Sequence, residues 1–98
     1  MTRHDILGVL MEHRAEAEIE KLGVKSLALF GSAARGEAGE TSDVNLLVEF
    51  AESVGLFRFL DVKAYLENLL GCQVDLVTPD ALKRQLRERI LGEAVRAL

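Results

Sequence analysis

Residues 24–50 read VKSLALFGSAARGEAGETSDVNLLVEF, and the fold turns on them. Val24–Phe30 is a short, bounded apolar run, which reads as a strand. Gly31-Ser32 ends it, and ten residues separate Ser32 from Asp43. A second strand is expected over 43–50. Its period-two alternation sets Asp43, Asn45 and Leu47 on one face and Val44, Leu46 and Val48 on the other. Between the two strands, 32–35 reads as a short helical turn and 36–39, Gly-Glu-Ala-Gly, as a loop.

Working outward, Thr2 and Asp5 have the spacing of a capping box. Ile6, Val9, Leu10, Ala17, Ile19 and Leu22 then form an approximate helical stripe that Gly23 stops. One helix over about residues 3–22 is expected. Downstream, a Leu- and Phe-rich helix over about 54–70 closes at Gly71. A third strand over 73–77 follows, with Asp75 pointing away from Val74 and Leu76. Thr78-Pro79 is a strong helix start, and Leu82, Leu86, Ile90, Ala94 and Leu98 give the last helix an unbroken four-residue stripe. The order is helix, strand, short helix, strand, helix, strand, helix. This predicts an α/β (α+β) layer fold in a single domain over 1–98.

Composition narrows the function classes. The chain has 98 residues, 49% of them hydrophobic and 29% charged, which suits one modest folded core. No apolar run is long enough to span a bilayer, no secretory signal pattern opens the chain, and Cys72 has no second cysteine to pair with. A cytoplasmic location with no membrane role is the simplest expectation. The net charge of −4 argues against direct nucleic-acid binding as the main role. The hydrophobic fraction is high for so short a chain, so another protein is expected to cover part of it.

The chemistry-bearing residues point towards a triphosphate. Gly31 permits close backbone approach, and Ser32 adds a hydroxyl where a helix would begin, so free N–H groups face an anion there. Two carboxylates at i and i+2 on a strand repel one another unless a cation lies between them, and magnesium is the natural ion for oxygen ligands plus phosphate. Here that pair reads Asp43 and Asn45. The Asn keeps a carbonyl oxygen for a metal but has no negative charge and cannot accept a proton. Asp75 supplies a further carboxylate in mid-strand, where propensity disfavours it. The stronger phosphate motifs G-x-x-x-x-G-K-[ST] and G-x-G-x-x-G are absent.

Taken together, Gly31-Ser32-Ala33-Ala34-Arg35-Gly36, Ser42-Asp43-Val44-Asn45-Leu46-Leu47-Val48 and Val74-Asp75-Leu76-Val77-Thr78-Pro79 resemble the minimal nucleotidyltransferase family. That family is the antitoxin half of type VII-like HEPN–minimal nucleotidyltransferase toxin–antitoxin modules, within the DNA polymerase beta-like superfamily. The resemblance covers nearly the whole chain, including the closing Arg89-Ile90-Leu91-x-Glu93-Ala94-Val95. It implies a small three-stranded mixed sheet flanked by helices. It also implies Mg2+ on Asp43, position 45 and Asp75, with Asp75 as third ligand or general base, and ATP held by Gly31, Ser32, Arg35 and Ser42. Arg35 could instead fix the Ser32 turn. The implied activity is AMP transfer from ATP to a tyrosine of a HEPN-family toxin. Where the family has Asp, this chain has Asn45, which implies weakened metal binding and transfer. A member that neutralises its toxin by binding alone, and an isosteric inactivating replacement, both fit that departure.

Other residues read as structural. His4 and His13 are expected to be exposed or capping, Cys72 a small buried apolar residue, and Tyr65 core or rim. Lys83, Arg84, Arg87 and Arg89 form a basic helix face, either solvated or turned to an acidic partner surface or to RNA bound to the toxin. Phe57 and Phe59, with Leu56 and Leu60, cover more of their helix than one buried side needs, as core or as a partner surface.

Overall fold

The computed structural model describes residues 3–31, 34 and 43–97. Strand β1 (Val24–Phe30) pairs antiparallel with β2 (Val44–Phe50), so that Phe30 lies opposite Asn45, Ala28 opposite Leu47 and Leu29 opposite Leu46. Strand β3 (Val74–Val77) joins the other edge of β2 in parallel. A short β4 (Val95–Arg96) runs antiparallel along β1, with Ala28 opposite Arg96. The sheet is therefore mixed and four-stranded, in the order β3-β2-β1-β4, rather than three-stranded. β4 is hidden in the sequence because it is only two residues long, and Ala94 and Leu98 on either side prolong a helical stripe.

The N-terminal segment is two helices, α1 (Arg3–Leu10) and α2 (His13–Lys21), not one over 3–22. The break at Glu12, with φ −59 and ψ 135, has a geometric cause. At about 100° per residue, an unbroken helix would turn Ile19 to the side opposite Leu10. Both are buried, at 1% and 0% exposure, so the chain must bend to bring both stripes onto the sheet. Helix α3 (Leu56–Leu70) buries Val62, Leu66 and Leu70 at i+4 spacing and stops at Gly71, whose left-handed φ of 70 suits a residue without Cβ.

The last helix is also shorter than its stripe suggests. After Thr78, Pro79–Ala81 forms a single 3-10 turn, and α4 (Arg84–Glu93) begins separately at Lys83. Ala94 leaves the helix with an extended ψ of 138. Ile90 is buried, Leu86 is 46% exposed, and Leu98 lies outside the described residues, as does the Thr2 cap. α4 packs on one face of the sheet, where Ile90 meets Phe30 and Leu47. The other face carries the larger core, formed by Ile6, Leu10, Ile19, Leu27, Leu29, Leu46, Val48, Val62 and Leu66 with their neighbours. Among the described residues no helix is long and apolar enough to cross a membrane.

Candidate active site

Alternation along the strands places polar side chains at one end of the sheet, where β1 finishes and β2 and β3 begin. Asn45 and Asp75 are direct register partners across the parallel β2–β3 pair, and strands so paired lie about 4.8 Å apart. Val44 and Val74, one residue earlier in each strand, are buried at 3%, so Asn45 and Asp75 point to the opposite, α4-bearing face. Asp43 sits just before β2, two residues from Asn45 and exposed. Extended backbone puts i and i+2 on the same side. The strand register thus brings Asn45 and Asp75 side by side, with Asp43 two residues before Asn45 in the chain.

Gly31 completes the cluster from the neighbouring strand. Its φ of 77 lies in the left-handed region, and an ideal Cβ on it would lie 2.6 Å from Asn45 Nδ2 and 3.4 Å from Asn45 Cγ. The Asn45 amide therefore rests over bare Gly31 backbone. A side chain at 31 would be strained and would collide. No local signal marks this contact, which follows from the register that sets Phe30 against Asn45.

Two interactions hold the start of β3, and hence Asp75, in place. Val44 N donates to the Gln73 carbonyl at 3.1 Å. Val74 N donates to Glu67 Oε2 at 3.1 Å, tying the strand to α3. Glu67 is a positioning residue that the sequence does not advertise, because an acidic side chain near a helix end usually reads as solvated surface. Cys72 lies close by and is half-buried. Burial pushes its thiol up from the ordinary value of 9.0, and the Asp43 and Glu67 carboxylates push in the same direction. A thiol so placed stays protonated and makes a poor nucleophile.

The donors at this end are two carboxylates and one amide carbonyl, all hard oxygens that suit magnesium. The residues fit such an ion in kind but bring less negative charge than three carboxylates would. Among the described residues no group of three His, Cys, Asp or Glu is placed to hold a metal. Ser32, Arg35 and Ser42 lie outside the described residues; Ala34, from the same segment, is buried at 4%.

The remaining candidates separate cleanly. His4 is exposed, and Tyr65 and Cys72 pack half-buried against the larger core; the side chain of His13 lies outside the description. Arg87 is half-buried and its Nη2 donates to the Leu82 carbonyl at 3.4 Å, while Lys83, Arg84 and Arg89 are exposed. Phe59 packs against the core, whereas Leu56, Phe57 and Leu60 face solvent.

The chain is similar to known proteins along almost its full length. The nucleotidyltransferase domain family matches residues 10–98. Protein adenylyltransferase MntA of Thermococcus cleftensis is 42% identical over 95 residues, covering 97% of this chain and 95% of that protein. A solved structure provisionally assigned as a minimal nucleotidyltransferase superposes with a TM-score of 0.77 at 37% identity, covering 97% of this chain and 95% of the other. A chain from the complex of a tri-AMPylated Shewanella oneidensis HEPN toxin with its MNT antitoxin matches with a TM-score of 0.58 at 20% identity. That match covers 85% of this chain and 68% of the other, and its likeness is one of fold.

Proposed function

The chain belongs to the minimal nucleotidyltransferase family, and on that premise we propose that it is the antitoxin of a HEPN toxin–antitoxin module, transferring AMP from ATP to a tyrosine of its toxin at a rate reduced by Asn45. The observation that carries this reading is the pairing of Asn45 with Asp75 beside bare Gly31, with Asp43 two residues upstream.

In this reading the tyrosine oxygen attacks the α-phosphorus of ATP. A phosphorus–oxygen bond to the tyrosine forms, the bond from the α-phosphorus to the bridging oxygen breaks, and pyrophosphate leaves. Gly31 lets the triphosphate approach the backbone, and Ser32, Arg35 and Ser42 act with it on the phosphates and nucleotide. Asp43, Asn45 and Asp75 are the residues that would hold Mg2+ at this end of the sheet. When bound, the ion supplies neutralisation of phosphate charge. Asp75, exposed on β3, would take the phenolic proton if it does not serve as the third metal ligand. Asn45 offers an oxygen without charge, so the negative potential at this end is smaller, and electrostatic preorganisation of this kind commonly governs the rates of such transfers.

Asn45 also favours a second reading, in which transfer is abolished and the chain neutralises its toxin by binding alone. Incubation with labelled ATP, magnesium and the HEPN partner separates the two when this chain is compared with Asn45→Asp. Slow labelling of the partner by this chain, accelerated about 100-fold or more in the variant, is the result expected. Labelling in the variant only supports the binding reading. Equal labelling in both would overturn the role given to position 45.

A further inference from the structure

The end of the sheet remote from Asp43 and Asp75 carries two features that the transfer chemistry leaves unused. The first is the opening turn of α3, where Leu56 is 67% exposed, Phe57 85% and Leu60 45%. Their i, i+3 and i, i+4 spacings put them on one side of the helix. The opposite side is already complete, with Phe59, Val62, Leu66 and Leu70 against the core. Nor is this turn loose: Arg58 Nη1 donates to the Leu22 carbonyl at 2.9 Å and clamps it to the start of β1. An aromatic ring held in water on an anchored helix is a surface awaiting a partner.

The second feature is a groove of about 570 Å³ between the end of β2, the segment that follows it and Thr78–Asp80. Its walls include the exposed carboxylates of Glu49, Glu52 and Asp80 and, among the described residues, no Lys, Arg or His. Val54 lines the groove, and only Gly55 separates it from Leu56. The acidic groove therefore ends, along the chain, two residues before the apolar turn of α3.

We propose that this surface docks an amphipathic helix of the partner protein, its apolar side on Leu56, Phe57 and Leu60 and its lysines or arginines over Glu49, Glu52 and Asp80. The inference rests on the reading that the chain acts on a protein partner, and it deepens that reading by separating recognition from transfer. A second copy of this chain is a poorer occupant, because a molecule of net charge −4 brings more like charge to an acidic groove. Asn45 and Phe50 stand at opposite ends of β2, about 17 Å apart at strand rise. The partner is thus gripped at one end of the sheet and presents its acceptor at the other.

The test titrates the HEPN partner into the chain at low and high salt, with Phe57→Ser/Leu60→Ser and Glu52→Lys as variants and sedimentation of the chain alone alongside. The double variant is expected to weaken association at least about tenfold, while leaving the affinity for ATP with magnesium unchanged. Glu52→Lys should weaken association as well and flatten its salt dependence. All three positions face solvent, so unchanged circular dichroism is expected of both variants. Undiminished association in both variants would overturn the proposal. A dimer of the chain alone that Phe57→Ser/Leu60→Ser dissolves would overturn it too, by giving the surface to a second copy. Failure of the unsubstituted chain to bind the HEPN protein is a different result, which removes the proposed function and this inference with it.

Discussion

The two faces of the sheet are unequal. One is sealed by α1, α2 and α3 over a core that draws residues from β1, β2, β3 and all three helices. Among the described residues the other has α4 alone, and its buried cluster is Phe30, Leu47 and Ile90. The polar side chains of the candidate site stand on this second, thinly covered face. Charged carboxylates cannot be sealed beneath a helix without a large desolvation cost, so a domain of this size places its cohesion on one face and its chemistry on the other. β2 carries both in alternate residues: Val44, Leu46 and Val48 face the core, while Asn45 and Leu47 face α4.

The sharpest way to break that contrast is to truncate adjacent residues of β2. Leu46→Ala, at 0% exposure in the larger core, is expected to lower unfolding free energy by about 4 kcal/mol. Leu47→Ala, one residue on but under α4, should lower it by about 2 kcal/mol. Urea titration reads both, and equal losses would show that the two faces contribute alike. Gly31→Ala comes next, with a loss of about 1–2 kcal/mol from the left-handed backbone, and more if the Asn45 amide cannot yield the 2.6 Å contact. An unchanged melting curve for Gly31→Ala would mean that the turn relaxes freely.

Smaller effects probe how the thick face steadies the thin one. Glu67→Ala removes the acceptor that α3 offers to Val74 N and should cost about 1 kcal/mol. Hydrogen exchange at that amide should accelerate with it, and an unchanged exchange rate would show that Glu67 does not hold β3. Last, Asn45→Asp sets a second carboxylate directly across from Asp75. Like charges on paired strands should lower stability by about 0.5 kcal/mol without magnesium, and added magnesium should reverse the sign. A variant whose melting temperature ignores magnesium would count against ion binding at this end of the sheet.

Not every error in reading the sequence has the same origin. The helix expected over 3–22 fails because two apolar stripes, each helical by itself, are out of phase with one another, and the phase matters only once a sheet exists to receive them. The last helix fails for the converse reason. Its stripe stays in phase through Ala94, but pairing with the open edge of β1 draws Val95 and Arg96 into a strand. The Asn45–Gly31 contact and the Glu67 tether leave no sequence signal, since each joins residues on different elements.

What the sequence determined by itself is local: the apolar runs that become β1, β2 and β3, the alternation that turns Asp43, Asn45 and Asp75 away from the core, and Gly71 as a helix stop. Each depends on backbone sterics and side-chain period within a few residues. Only the tertiary structure decided which residues stand opposite one another. It set Asn45 against Asp75 and over Gly31, and it left the first turn of α3 bare beside an acidic groove. Register and surface are settled by hydrogen bonds and packing between distant segments, and no short stretch of chain contains both partners.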